Sequence, residues 1–467
     1  MIDILLHRFH RLHMVGVGGA GMSGIAEVLL RSGLQVSGCD LQANESTRKL
    51  VEMGAVINIG HNPAHIHDAD VMVYSSAVRD DHPELVAARE LKLPVIPRAE
   101  MLSELMRMKA GVAVSGTHGK TTTTSLVGEV LAAGGLDPTV IVGGRLRQIG
   151  SGVVSGRGDF LVVEADEFER SFLRLTPTLV VVTNIDRDHM ECYGSYEALE
   201  DAFVQFANSV PFYGRAVICL DEPSLVKILP RLTRTVVTYG FSPQSDLLAT
   251  DVKYERNTTT FTIHNGKACV RVKMSLPGRH NVLNALAAAA VGRELGVENS
   301  AIKRGLEQFK GVHRRFEIIG EVGGIMVVDD FGHHPAEIAA TLAAARGGWR
   351  RPIVAVFQPH LFSRTRDLAT EFGRALLAAD TAMVLPIYPA RETPIEGITS
   401  RLIVDAAREM GHKQIQYLED KSRVADEIVK LAKSGDMVLT VGAGDVYKIA
   451  PQIITALKAR YGAADEG

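Results

Sequence analysis

The chain has 467 residues, room for about three domains of ordinary size. With 46% hydrophobic and 22% charged residues it has the composition of a soluble globular protein, and a net charge of -3 supplies no basic field to hold nucleic acid. Cys39, Cys192, Cys219 and Cys269 show no C-x-x-C or zinc spacing, so disulfides and a structural metal are not expected. No apolar run reaches the ~20 residues of a membrane span. The first eleven residues carry His7, Arg8, His10 and Arg11 and no signal-peptide core, so a cytoplasmic location with no membrane partner is expected.

Apolar strand-like runs alternate with helix-like segments, the pattern of βαβ units on parallel sheets. The first unit opens with HMVGVGGAGMSG (His13–Gly24). Gly16, Gly18 and Gly21 fit G-x-G-x-x-G between a strand and a helix, and Asp40 ends the next strand at the spacing of an acid on a ribose hydroxyl. A diphosphate attached to a ribose belongs in such a loop. That describes a nucleotide-sugar, and equally the NAD of an oxidoreductase. Strands ending at Cys39 and Tyr74 and near Ile96 follow, then a helix at Met101–Met108 before a boundary.

The second unit opens with VAVSGTHGKTTTT (Val112–Thr124), a strand feeding a glycine-rich turn, a lysine and hydroxyls that start a helix. Backbone amides and the helix N-terminus make an anion site there, Lys120 suits the β- and γ-phosphates of ATP, and Thr121 suits Mg²⁺. Val114 stands where the usual pattern has its first glycine. The strand DFLVVEADE ends in Glu164, Asp166 and Glu167, and Glu164 is the candidate metal ligand. The next strand ends in TNIDRDHM, where His189 completes a second metal site beside Asp186 and Asp188. Asp251–Met274 alternates like antiparallel hairpins, Pro277-Gly278 ends it, and Asn281–Leu295 reads as an Ala-rich helix. The third unit, from His313, has strands at Met326–Val328, Ile353–Phe357, Ala382–Leu385 and Met437–Val441, and a frayed tail at Gly462–Gly467. The predicted class is α/β in three domains. They are a Rossmann-like domain over 1–108, a central P-loop-type ATPase domain with a mixed sheet over 109–312, and a Rossmann-like C-terminal domain over 313–467.

Two phosphate sites in one chain suit a ligase that consumes ATP and acts on a nucleotide-sugar. The chain resembles the Mur ligase family, and within it the alanine-adding branch. The resemblance rests on GVGGAGMSG (Gly16–Gly24), SSAV (Ser75–Val78), PRAEML (Pro97–Leu102), GTHGKTTTT (Gly116–Thr124), EADE (Glu164–Glu167), TNIDRDHM (Thr183–Met190) and PFYGRAV (Pro211–Val217). Further motifs are PGRHNVLNALAA (Pro277–Ala288), HRRFE (His313–Glu317), DDFGHHP (Asp329–Pro335), FQPHLFSRTRD (Phe357–Asp367), IYPARETPI (Ile387–Ile395) and VGAGD (Val441–Asp445).

The resemblance implies that Gly18, Gly19, Ala20 and Gly21 meet the pyrophosphate of UDP-N-acetylmuramate, with Asp40, Ser75 and Ser76 completing that site. Gly116, Thr117, His118, Gly119, Lys120, Thr121 and Thr122 would hold the ATP phosphates. His280, Asn281 and Asn284 would face adenine, and Arg314 and Asp330 would reach the nucleotide. His360, Arg364 and Arg366 would bind L-alanine, an arginine fork pairing with its carboxylate, and His333 and His334 would line the cleft. Thr121, Glu164 and His189 would hold Mg²⁺, and Lys120, Glu164, His189, Arg314 and His333 would be catalytic. The muramyl carboxylate would attack the γ-phosphoryl, and the alanine amine would then displace phosphate from the acyl phosphate. Hinges are expected near Lys109–Gly111 and Lys310–His313, and a monomer or weak homodimer as the assembly. Alternatives are a recycling ligase that adds a preformed peptide, an NAD-dependent oxidoreductase, and a non-catalytic nucleotide sensor. Three departures stand out: Leu361 where the family often has Arg, Phe168-Glu169-Arg170 after the acidic motif, and no lysine between Lys120 and Lys227 to be carbamylated.

Overall fold

The computed structural model describes residues 9–66, 68–75, 77–144, 152–266, 268–390 and 392–461. Ser76 and the Gly462–Gly467 tail lie outside them. Five strands, β1 (Arg11–Val15), β2 (Gln35–Asp40), β3 (Val56–Ile59), β4 (Val71–Tyr74) and β5 (Val95–Pro97), form a parallel sheet in the order β3-β2-β1-β4-β5. Leu12 to Val15 on β1 are all buried, as a central strand covered on both faces requires. The strand order reverses between β1 and β4, which opens a crevice at their carboxyl ends where Gly16 and Ser75 stand.

The second sheet holds β6 (Ala110–Ser115), β7 (Thr139–Ile141), β8 (Val153–Val154), β9 (Phe160–Glu164), β10 (Leu179–Val182), β11 (Arg215–Cys219), β12 (Val236–Gly240), β13 (Leu247–Glu255), β14 (Thr258–Asn265) and β15 (Ala268–Met274). Its order is β15-β14-β13-β12-β11-β10-β6-β9-β7-β8. The phosphate-loop strand β6 is therefore flanked by β9, which leads into the acids, and β10, which leads into Thr183-Asn184. Only two residues join β13 to β14, a connection that demands antiparallel pairing. The helix read as Asn281–Leu295 runs from Arg279 to Glu294, and the one read as Met101–Met108 starts at Arg98.

The third sheet comprises β16 (Glu317–Val322), β17 (Ile325–Asp330), β18 (Ile353–Phe357), β19 (Thr381–Val384), β20 (Ile415–Tyr417) and β21 (Met437–Val441), in the order β16-β17-β21-β18-β19-β20. Sequence reading missed β16, an antiparallel edge strand. Its signal was Gly323-Gly324, both at positive φ (58° and 75°), the two-residue hairpin turn whose twist suits paired strands.

By contact density the chain forms two compact units. One runs up to Asp251 and adds Phe261–Val272 and Leu283–Lys310; the other is Val252–Thr260, Lys273–Val282 and the chain from Gly311 on. Among the described residues no helix is long and apolar enough to cross a membrane.

Candidate active site

In the first unit, β6 feeds the turn Gly116–Gly119 and the helix Lys120–Ala133. Gly116 sits at φ +129°, and a Cβ there would fall 2.0 Å from Thr183 Oγ1. Only glycine fits, because the end of β10 braces the turn. Thr183 Oγ1 donates to His118 O (2.6 Å), Asn184 Nδ2 donates to the same oxygen (3.0 Å), and His118 N donates to Asn184 Oδ1 (2.8 Å). Asp186 N closes the brace on Thr117 Oγ1 (2.9 Å), and Asp186 Oδ2 lies 3.2 Å from His118 Nε2. Thr183 and Asn184 were read only as part of a family motif, and their work is to shape this loop.

Lys120 Nζ donates to Gly116 O (2.7 Å) and Thr117 O (3.2 Å) and pairs with Glu167 Oε2 at 2.8 Å. Burial opposes its charge, but Glu167 and then Asp166 outweigh burial and hold the ammonium above the ordinary lysine range. Thr121 Oγ1 lies 3.0 Å from both oxygens of Glu164, whose Oε2 also accepts from Gly143 N at 2.7 Å. Asp166, Glu167 and His189 bring donor atoms within 4.8 Å of one another. Hydroxyl and carboxylate oxygens with one imidazole are a donor set that fits Mg²⁺. Glu167 was not singled out from the sequence; the structure makes it the partner of Lys120.

The other threonines of the run have separate tasks. Thr123 Oγ1 donates to Asn284 Oδ1 (3.1 Å), and Thr124 Oγ1 bonds back to Lys120 O (2.8 Å). Thr122 is buried. In the departing segment, Phe168 edges onto the His189 ring (5.0 Å), Arg170 lies over Tyr193 (5.2 Å), and Tyr193 donates to Glu167 O. Phe168 and Arg170 thus pack around the acidic cluster. Nothing in the structure explains Glu169.

In the first glycine loop, Gly16 has φ +76° and no side chain caps the helix that starts at Ala20, which leaves an N-terminus suited to a pyrophosphate. Asp40 Oδ2 accepts from Gly18 N at 2.8 Å, and Asn44 Nδ2 donates to Gly18 O. Ser75, after β4, donates its amide to Val15 O, and its Cβ is the nearest atom to a side chain built on Gly16 (3.3 Å).

In the second unit, Arg314 at φ +60° donates Nε to Asp329 Oδ2 (3.1 Å) and Nη2 to Gly442 O, and lies over the rings of Phe331 (5.0 Å) and Tyr447 (4.5 Å). Asp330 is buried, and its oxygens accept from Phe316 N (2.7 Å), Gly332 N (2.8 Å) and Thr341 Oγ1 (3.2 Å), so a sugar hydroxyl would have to compete for them. His334 caps the helix Pro335–Gly348. The His333 and His360 rings lie 5.8 Å apart and His360 stacks on Tyr388 at 5.8 Å. Arg364 is buried. Arg366 is half-exposed and its fork is taken up by the neighbouring Asp367 at 2.6 and 3.0 Å. On this helix Arg366 and Asp367 therefore pair on the exposed side, whereas Arg364 and Thr365 are buried.

Asn281 Nδ2 donates to Pro277 O (2.7 Å). His280 is pushed down to about 4, first by burial and then by Arg315. A base whose folded pKa lies below its unfolded value loses stability as pH falls through the window between them. Between about pH 6.5 and 4, protonation of the unfolded chain should therefore remove roughly 3 kcal/mol. Melting curves across that window should fall less steeply for His280→Asn, and identical slopes would reject an imidazole held neutral by the fold.

Residues 11–110 match the Mur ligase family catalytic domain, 114–292 the Mur ligase middle domain and 314–444 the Mur ligase glutamate ligase domain. The chain belongs to the Mur ligase family. The phosphate loop lies in the matched middle domain and the first glycine loop in the matched catalytic domain. This Mur ligase is 50% identical to the UDP-N-acetylmuramate--L-alanine ligase of Geotalea daltonii, over 94% of its own length and 96% of that protein's. It is 51% identical to the ligase of the same name from Geotalea uraniireducens, with the same coverage. Its fold is similar to the crystal structure of the UDP-N-acetylmuramate-alanine ligase of Thermotoga maritima, with a TM-score of 0.79 and 30% identity over 96% of this chain and 99% of that one.

Proposed function

We propose that this Mur ligase joins L-alanine to the carboxylate of UDP-N-acetylmuramate, with conversion of ATP to ADP and phosphate, in cytoplasmic synthesis of peptidoglycan precursors. The observation that carries the reading is the loop at Gly116 with Lys120 at its exit and Thr121 against Glu164. Half-identity over nearly the full length to ligases bearing that name supports the choice of substrates. The domains 1–108, 109–312 and 313–467 are assigned the nucleotide-sugar, ATP and alanine in turn.

A carboxylate oxygen is a poor leaving group and phosphate a good one, so the acid must be activated before an amine can displace anything from it. Lys120 meets the β- and γ-phosphates by exchanging Glu167 for them, and the loop amides hold the same anions. Thr121, Glu164 and His189, with Asp166 and Glu167, are assigned to magnesium, which when bound neutralises charge on the transferring phosphoryl. Arg314 is assigned to the nucleotide and His360 with Arg364 to the amino acid. Exclusion of water from the acyl phosphate is essential, because hydrolysis would waste it.

The test is phosphate release. With UDP-N-acetylmuramate and ATP, release should require L-alanine. Release driven instead by a preformed tripeptide would favour the recycling ligase, and nucleotide binding with no release under any condition would favour a sensor.

A further inference from the structure

A buried knot in the five-stranded sheet contains none of the residues assigned above to the ligation. His13 stands on β1, Cys39 on β2, His61 just after β3, and Glu84 at the start of the helix Pro83–Glu90. His13, Cys39 and Glu84 are wholly inaccessible to solvent (0%). Glu84 Oε2 lies 3.0 Å from His13 Nε2 and 2.9 Å from Cys39 Sγ. His61 Nδ1 lies 3.2 Å from the same sulfur and 3.6 Å from Glu84 Oε1. The donor atoms of His13, Cys39 and Glu84 all fall within 4.8 Å of one another.

In a tetrahedral zinc site, bonds of about 2.0 to 2.3 Å place neighbouring donors roughly 3.3 to 3.8 Å apart. The contacts that Glu84 and Cys39 make in this knot, 2.9 to 3.6 Å, lie close to that spacing. The outer contacts are those of a metal site as well. His13 Nδ1 rests on Ser37 Oγ at 2.9 Å, which leaves Nε2 facing inward, and Asn62 N (2.9 Å) and His65 Nδ1 (3.3 Å) hold Glu84 Oε1. A thiolate and a carboxylate around a divalent ion sum to zero charge, which a buried site tolerates.

We propose that His13, Cys39, His61 and Glu84 form a binding site for a tetrahedral, thiolate-accepting divalent cation of the zinc class. On binding, the Cys39 S–H bond breaks and its proton, which the structure aims at Glu84, leaves to solvent. The sulfur, two imidazole lone pairs and one carboxylate oxygen then bond to the ion, and no electron is transferred. The ion would tie β1, β2 and the Glu84 helix together directly beneath the first glycine loop, since Cys39 O accepts from Gly16 N (2.9 Å) and Val17 N (3.1 Å).

The experiment titrates Co²⁺ into the chelator-treated full-length protein, with excess Mg²⁺ to fill the oxygen-donor site. One equivalent should produce a thiolate-to-cobalt charge-transfer band with tetrahedral visible bands, Zn²⁺ should bleach both, and Zn²⁺ should raise the melting temperature. Cys39→Ser, whose hydroxyl keeps a donor to Glu84, should remain folded and lose the band. His61→Asn should weaken the affinity at least about tenfold. Cys192→Ser, beside His189, should leave the band intact. No band in the folded wild type, or an equal band in Cys39→Ser, would overturn the site and leave the knot a hydrogen-bonded cluster only.

Discussion

Lys120→Ala should abolish ATP-dependent ligation while UDP-N-acetylmuramate still binds. Loss of one preorganised charge on a developing phosphoryl anion costs about 10²- to 10³-fold, and Lys120 is also the group that draws the triphosphate into the loop. The expected fall in kcat/KM is therefore at least about a thousandfold. The same change leaves Glu167 buried without its 2.8 Å partner, a situation that costs roughly 3 to 5 kcal/mol. The two effects separate in the double variant Lys120→Ala/Glu167→Gln. Removal of the carboxylate charge should restore most of the melting temperature and none of the ligation. Calorimetric titration with UDP-N-acetylmuramate checks that the first sheet is intact, and substantial ligation by folded Lys120→Ala would refute the assignment of the loop.

Gly116→Ala should be the most damaging methyl addition in the central sheet. At φ +129° an L-residue is strained by about 1 to 3 kcal/mol. The new Cβ also meets Thr183 Oγ1 at 2.0 Å and Asn184 N and O at 3.0 Å, so the residues that shape the loop must move. A loss of about 3 kcal/mol or more in stability is expected, with ligation reduced at least about a hundredfold because loop amides misplaced by an ångström no longer meet the phosphates. The double variant Gly116→Ala/Thr183→Ala removes the closest clash and leaves the Asn184 backbone contacts and the backbone strain, so it should recover part of the stability and little activity. Wild-type melting and turnover in Gly116→Ala would show that β10 does not brace this turn.

The sequence alone made the local structure legible wherever the signal was contiguous. The run from Val112 to Thr124 holds strand, turn, lysine and helix start in thirteen residues, and local backbone preferences suffice to build an anion site from them. The acids at the end of β9 were legible for the same reason, since a strand's last residues point where ligands bind in a parallel sheet. Tertiary structure decided which groups pair. Glu164 ends β9 and Glu167 follows it, and only the placement of β9 beside β6 gives Thr121 to the first and Lys120 to the second. Arg364 and Arg366 lie two positions apart on one helix and so face nearly opposite ways; where that helix docks buries the first and leaves the second with Asp367. Asp40 had the spacing of a ribose ligand, and only the fold shows that Gly18 N occupies one of its two oxygens. The His13–Cys39–His61–Glu84 knot was invisible to any search by spacing, because 71 residues separate its outermost members and no local pattern links them. Short-range order follows from the residues themselves, whereas side-chain partners across elements depend on strand order and helix docking, which non-local packing sets.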